Sequence, residues 1–176
     1  MVEVVMNQSK NNIAHAFSDE EEKVWNILSL VNDPEIPVLS VLDLGIVRDV
    51  KLHNDFVEVI ITPTYSGCPA MDFIGMNIKK ALSDNGFNNI QITHQLSPAW
   101  TTDWMTEEGK EKLKAYGIAP PAAKTFDKNY LDNLQVECPY CHSMNTKVIS
   151  QFGSTACKAL YKCHDCGEPF DYFKCH

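Results

Sequence analysis

The chain has 176 residues, 44% hydrophobic and 22% charged, enough for one ordinary domain and a smaller companion. Its net charge is −8 with a single arginine, Arg48, which argues against a nucleic-acid binder, because phosphate backbones call for clustered positive charge. No apolar run approaches the ~20 residues that span a bilayer, and the start, MVEVVMNQSKNNIAHAF, lacks an apolar core of signal-peptide length; no membrane partner and a cytoplasmic location are expected.

Residues 1–17, rich in Asn, Gln and Ser, read as a disordered lead-in. Ser18 and Glu21 form a capping box that starts the first helix. Val24, Ile27, Leu28 and Val31 give that helix one buried face, and Asn32-Asp33-Pro34 stops it. Asp33 is expected to cap the passage from helix to loop, with Glu35 exposed or bracing the loop; assisting a metal at Cys68 is a minor option for the pair. Two β-branched stretches, residues 46–52 and 56–62, flank the turn His53-Asn54-Asp55 and predict a hairpin. Pro69 suits the first position of a second helix, placing Cys68 at its N-cap. Met71, Ile74, Ile78 and Leu82 line the inner side of that helix, and Gly86 ends it. Ile90, Ile92, His94 and Leu96 alternate along a third strand. The order is α-β-β-α-β, with helices on one face of a small sheet.

A short helix follows over residues 107–116, with Trp100 and Trp104 expected to glue it to the sheet, a partner groove being the alternative. GIAPPAAK, residues 117–124, is too rich in Pro and Ala to pack as an element and reads as a linker.

Two C-x-x-C pairs close the chain: Cys138 and Cys141 in CPYC, then Cys163 and Cys166 in CHDC. Each pair makes a tight turn that aims two sulfurs at one ion, and a hairpin between them brings the turns together, as in a zinc ribbon. Seven cysteines in a reducing compartment favour metal or redox chemistry over disulfides. A rubredoxin-like iron site uses similar turns, and Cys157 or Cys175 competes for a place in the ligand set. Lys147, Lys158 and Lys162 are candidates to offset the charge of a metal tetrathiolate. Phe152 and Tyr161 are expected in the ribbon core, and some of Phe170, Tyr172 and Phe173 on a partner-facing surface.

Cys68 stands apart. A thiol at a helix N-terminus meets unpaired N–H groups and the positive end of the helix dipole, which favour the thiolate, the form that attacks and binds metal. The competing reading is a small buried hydrophobe. A catalytic pair of Cys68 with His94 is a weaker option. Neither paired Glu-x-x-His motifs nor a Gly-rich dinucleotide fingerprint is present, so no oxygenase or reductase site is expected.

The segments DPEIPVLSVLDLGIV (33–47) and TPTYSGCP (62–69) resemble the MIP18 family, defined by the DUF59 domain. The resemblance implies an assembly factor for iron–sulfur proteins, with the family's aspartate–proline–glutamate motif on Asp33, Pro34 and Glu35 and its reactive cysteine on Cys68. WTTDWMTEEGKEKLKAYGIAPP (100–121) and GSTACKALYKCHDCGEPFDYFKCH (153–176) narrow the likeness to the PaaD family, also called PaaJ, of accessory proteins in bacterial phenylacetyl-CoA epoxidase systems. That likeness implies a non-enzymatic accessory role in aerobic phenylacetate degradation. The implied partners are the reductase or oxygenase component, one of which receives a cluster or iron through Cys68. The alternative is a structural or regulatory subunit without cluster chemistry. One thiol is too few for a stable cluster, so help is expected from Cys157, Cys175, the second protomer of a homodimer, or the client.

The expected fold is α+β: lead-in 1–17, a MIP18-like α/β domain over 18–105, a helix and Pro/Ala-rich linker over 106–133, and a four-cysteine zinc ribbon over 134–176, with structural zinc on Cys138, Cys141, Cys163 and Cys166.

Overall fold

The computed structural model describes residues 18–65, 67–121, 131 and 134–174. The expectations for the lead-in, for the end of the linker and for Cys175 lie outside the described residues. The chain divides into two compact units, Met1–Gly109 and Lys110–His176.

In the first unit, α1 (Asp19–Leu28) starts where the sequence places it, with the Glu21 amide donating to Ser18 Oγ at 3.2 Å. Regular α-helix ends at Leu28, before the Asn-Asp-Pro stop. Beyond it the amides of Leu30 and Val31 bond three residues back, so the chain tightens into turns that still bury Val31. Strand β1 (Val47–Leu52) pairs antiparallel with β2 (Val57–Ile61), and β2 pairs in parallel with β3 (Ile90–His94). Helix α2 (Ala70–Asp84) makes the crossover between the two parallel strands. Because β2 is the central strand, it buries Ile60 as well as the alternating Val57, Val59 and Ile61. Helices α1 and α2 contribute Val24, Ile27, Leu28, Ile74, Ile78 and Leu82 to the core. Strand β3 stops at His94, and Leu96, expected to continue its alternation, is exposed.

The segment between α1 and β1 has no regular structure, yet it is among the most buried parts of the unit. Leu39, Val41, Leu42, Leu44 and Ile46 all point inward. Two aspartates satisfy its backbone. Asp33 Oδ1 accepts from the amides of Glu35 at 2.8 Å and Ile36 at 2.7 Å. It therefore organises the loop after the helix. Buried Asp43 accepts from the Ser40 amide at 2.9 Å and hydroxyl at 2.8 Å, and its other oxygen lies 3.2 Å from the Thr106 hydroxyl.

Trp100 is buried and donates its indole N–H to the Leu44 carbonyl at 2.9 Å. A 3₁₀ turn (Thr102–Trp104) leads to α3 (Glu107–Ala115).

In the second unit, β5 (Thr146–Ser150), β6 (Lys158–Cys163) and β7 (Pro169–Phe173) form an antiparallel ribbon. A fourth strand, β4 (Ile118–Ala119), pairs in parallel with β7, giving the order β4-β7-β6-β5. Ile118 and Ala119, near the start of the supposed linker, are thus part of the sheet. Two apolar residues ahead of the prolines suffice to extend an edge, and proline ends the pairing. In the core Tyr161 stacks on Phe170 and meets Tyr172 edge-on, with ring centroids 5.8 Å and 5.5 Å away. The expected division of aromatics is reversed in part. Phe152 is 65% exposed, whereas Phe170, Tyr172 and Phe173 are buried and offer no docking surface. Strand alternation puts Phe170 and Tyr172 on the inward face, and Phe152 lies past the end of β5. Among the described residues no helix is long and apolar enough to cross a membrane.

Candidate functional thiol and metal centre

The four paired cysteines converge. The sulfurs of Cys138, Cys141, Cys163 and Cys166 lie within 4.8 Å of one another. Cys138 and Cys166 are 3.8 Å apart, and Cys141 and Cys163 3.5 Å. A tetrahedral ion with metal–sulfur bonds of about 2.3 Å separates its sulfurs by about 3.8 Å, so the site fits such an ion. Soft thiolates suit zinc or iron over hard cations.

Two near-identical turns build the site. In each, the residue after the second cysteine donates its amide to the first cysteine's carbonyl: His142 to Cys138 at 3.0 Å, Gly167 to Cys163 at 3.1 Å. Both residues take positive φ, 63° and 81°. Glycine does this without strain, whereas His142 is held there. Its Nδ1 lies 2.7 Å from Glu137 Oε1, which also accepts from Lys114 Nζ at 3.0 Å. The turns are stitched together by Asp165, which accepts from the Ser143 hydroxyl and, at 2.7 Å, from Asn145 Nδ2. Spacing alone gives no sign of this tie.

The backbone also acts on the sulfurs. The Cys166 amide, foremost, draws the Cys163 thiol down to about 7. The Ser143 amide lowers the Cys141 thiol, but desolvation and the three neighbouring thiols outweigh it and push it up to about 12.

Of the candidate lysines, exposed Lys147 and Lys162 face each other across β5 and β6 beside the site. Lys158 begins β6, about 16 Å of extended strand from Cys163, and lies buried 3.6 Å from Asp171. Cys157 is buried outside the cluster, its sulfur 3.0 Å from the Thr155 hydroxyl.

Cys68 occupies the other unit, in the loop between β2 and α2. Helix α2 begins at Ala70 with Pro69 as its cap residue, one position later than the sequence suggests. The Cys68 amide donates to the Tyr65 carbonyl, and its carbonyl accepts from Met71, both at 3.3 Å. The thiol is half-buried. The helix end does not prevail here: desolvation raises the thiol above its ordinary value, and the charges of Glu35 and Asp33 add to the rise. The Ala70 amide and the Tyr65 hydroxyl act the other way. Glu35, read in the sequence as exposed or loop-bracing, is therefore one of the groups acting on the thiol. His94 is exposed at the end of β3, and among the described residues no hydrogen bond joins it to Cys68.

Residues 21–87 match the family model described as iron-sulfur cluster assembly protein, and residues 122–174 match the PaaD zinc beta ribbon domain. The chain is 51% identical over 153 residues, 87% of its length and 92% of the relative's, to an Escherichia coli protein provisionally named as the fourth, or D, component of 1,2-phenylacetyl-CoA epoxidase. It is 39% identical to an Fe-S protein maturation auxiliary factor of Porphyromonas gingivalis, over 55% of this chain and 93% of that one. Among solved structures, a DUF59 domain from Bacillus anthracis aligns with TM-score 0.50 and 32% identity, over 53% of this chain and 90% of that one. The chain belongs to the PaaD family, which joins an iron–sulfur assembly domain of the DUF59/MIP18 type to a zinc β-ribbon.

Proposed function

We propose that this protein is a non-catalytic maturation factor for a phenylacetyl-CoA epoxidase system, passing iron or an iron–sulfur cluster to the reductase or oxygenase component through Cys68. The observation that carries this reading is the setting of Cys68. It is a half-buried thiol in a short loop, raised by desolvation and further by the charges of two carboxylates, in a unit that matches the assembly family. Relatives named as Fe-S maturation factors and as an epoxidase component support the two halves of the proposal.

A raised thiol stays protonated at neutral pH, so the empty site is unreactive. Ferrous iron or a cluster displaces the proton, and Glu35 and Asp33, which disfavour a bare thiolate, favour the same sulfur once a cation is on it. Release is ligand exchange: a client thiol gives up its proton and takes the metal as Cys68 regains a proton. A single protein thiol holds the cargo loosely enough for this. Zinc bound to the ribbon's four thiols would hold the two turns together and take no part in the exchange; Cys138, Cys141, Cys163 and Cys166 would be its ligands.

The client is the place to test this. The reductase, purified from cells whose only copy of this protein carries Cys68→Ser, should hold several-fold less iron and acid-labile sulfide than from wild-type cells. Full iron content in both the reductase and the oxygenase from those cells would favour a scaffolding role.

A further inference from the structure

Arg48 is the chain's single arginine, and it sits where the β1–β2 register slips between Val47 and Asp49. An extra residue at such a slip re-aims its side chain. Here the guanidinium lies across the Trp104 ring, 3.5 Å from the centroid. It is half-buried and, among the described residues, has no carboxylate partner. In a protein with 23 carboxylate side chains this is unexpected, because a partly desolvated guanidinium is one of the groups that best reward pairing.

The ring beneath it is fixed. Gly45 has φ +65°, and a Cβ there would fall 2.0 Å from the Trp104 carbonyl oxygen, so the glycine lets that backbone press against it. Trp100 is tied to Leu44, and the Thr106 amide donates to the Asp43 carbonyl at 2.9 Å. The segment from Trp100 to Thr106 is therefore fastened at both ends to residues 43–45. The stack holds the guanidinium plane without using its N–H donors.

We propose that Arg48, laid across Trp104, is a receptor for one carboxylate of a protein partner, an Asp or Glu side chain flanked by apolar residues. The local field selects that chemistry. Asp49 and Asp103, both exposed, are chain neighbours of the arginine and its ring, and the whole chain carries −8. A doubly charged phosphate or an acidic run is repelled by such a field, whereas one carboxylate gains two charge-assisted bonds at modest cost. Among the described residues strand β1 is also an edge of its sheet, paired with β2 alone, the kind of edge to which an extended segment adds. Its register places the receptor beside the thiol's loop: Val47 pairs with Ile61, and the Thr62 amide bonds to Ile46. The inference stands whether or not Cys68 carries metal.

A single arginine gives a single side-chain Nε–H signal, which makes the test direct. The full-length protein labelled with ¹⁵N is titrated with acetyl-Val-Glu-Val-amide, acetyl-Val-Gln-Val-amide and inorganic phosphate. A saturable shift of the Arg48 Nε–H with the glutamate peptide, about tenfold tighter than with the glutamine peptide, is expected. Trp104→Leu should weaken it several-fold. Should that variant unfold, Arg48→Gln, followed at the backbone amides of Val47 to Asp49, should abolish the discrimination between the peptides. Equal responses to the two peptides, or tighter saturation by phosphate, would overturn the proposal.

Discussion

Replacing Cys163 by serine should empty the ribbon's metal site and unfold the C-terminal unit. Cys163 is fully buried at the end of β6, and its backbone belongs to both the strand and the second turn. A serine oxygen is a poor, hard donor for an ion held by three thiolates. The ribbon has little to fall back on, because among the described residues its core is a small cluster of nine buried residues around Tyr161 and Tyr172. Structural zinc in small domains contributes about 10–16 kcal/mol of apparent binding energy at neutral pH, more than the whole stability of such a unit. Elemental analysis should fall from about one zinc per chain to near none, and amide signals of residues 134–174 should collapse to the narrow range of an unfolded chain. Signals of the first unit should persist. Cys157→Ser should keep its zinc, since that thiol lies outside the cluster. A fully metallated, folded Cys163→Ser protein would show that another residue completes the site.

Gly45→Ala should be the most damaging single methyl added to the first unit. The new Cβ would lie 2.0 Å from the Trp104 oxygen and 2.6 Å from its carbonyl carbon, both backbone atoms fastened on either side. A left-handed conformation costs an L-residue about 1–2 kcal/mol, and forcing the packed segment aside adds about 1–3 kcal/mol. The expected loss is about 3 kcal/mol, or a fall in Tm of about 15 °C for a domain of this size. Gly86→Ala is the control. It has φ +95° but nothing within 4 Å of the added carbon, so it should lose only the conformational part, about 1 kcal/mol. Calorimetry of the two variants separates clash from strain. Equal melting temperatures would mean that the Trp104 segment yields freely, and the fixed floor under Arg48 would be lost with it.

The convergence of the four paired cysteines was legible in the sequence, because two C-x-x-C turns constrain both the backbone and the sulfurs within four residues each. The α-β-β-α-β order was legible for a related reason: its helices and strands carry their own periodicity and caps. What the sequence hides are contacts between distant segments. The aspartate–proline–glutamate motif marks Glu35, but no sequence pattern gives the direction in which its charge acts on Cys68, 33 positions on. The direction of that thiol's shift depends on burial, which a helix N-terminus alone does not specify. Arg48 reads as an ordinary strand residue until the register slip and the Trp104 ring are seen together. Phe152 and the β7 aromatics were divided wrongly because composition does not reveal where β5 ends. The Pro/Ala-rich stretch concealed β4, since two residues are too few to show a period.

The central claim is that Cys68 carries iron cargo while the ribbon holds zinc, and metal analysis tests it most directly. Wild-type and Cys68→Ser proteins are purified without oxygen, supplied with ferrous iron and sulfide, and desalted. The account predicts one zinc per chain in both, with substoichiometric iron and acid-labile sulfide in the wild type alone. Equal iron in the two proteins, or none in either, would contradict it.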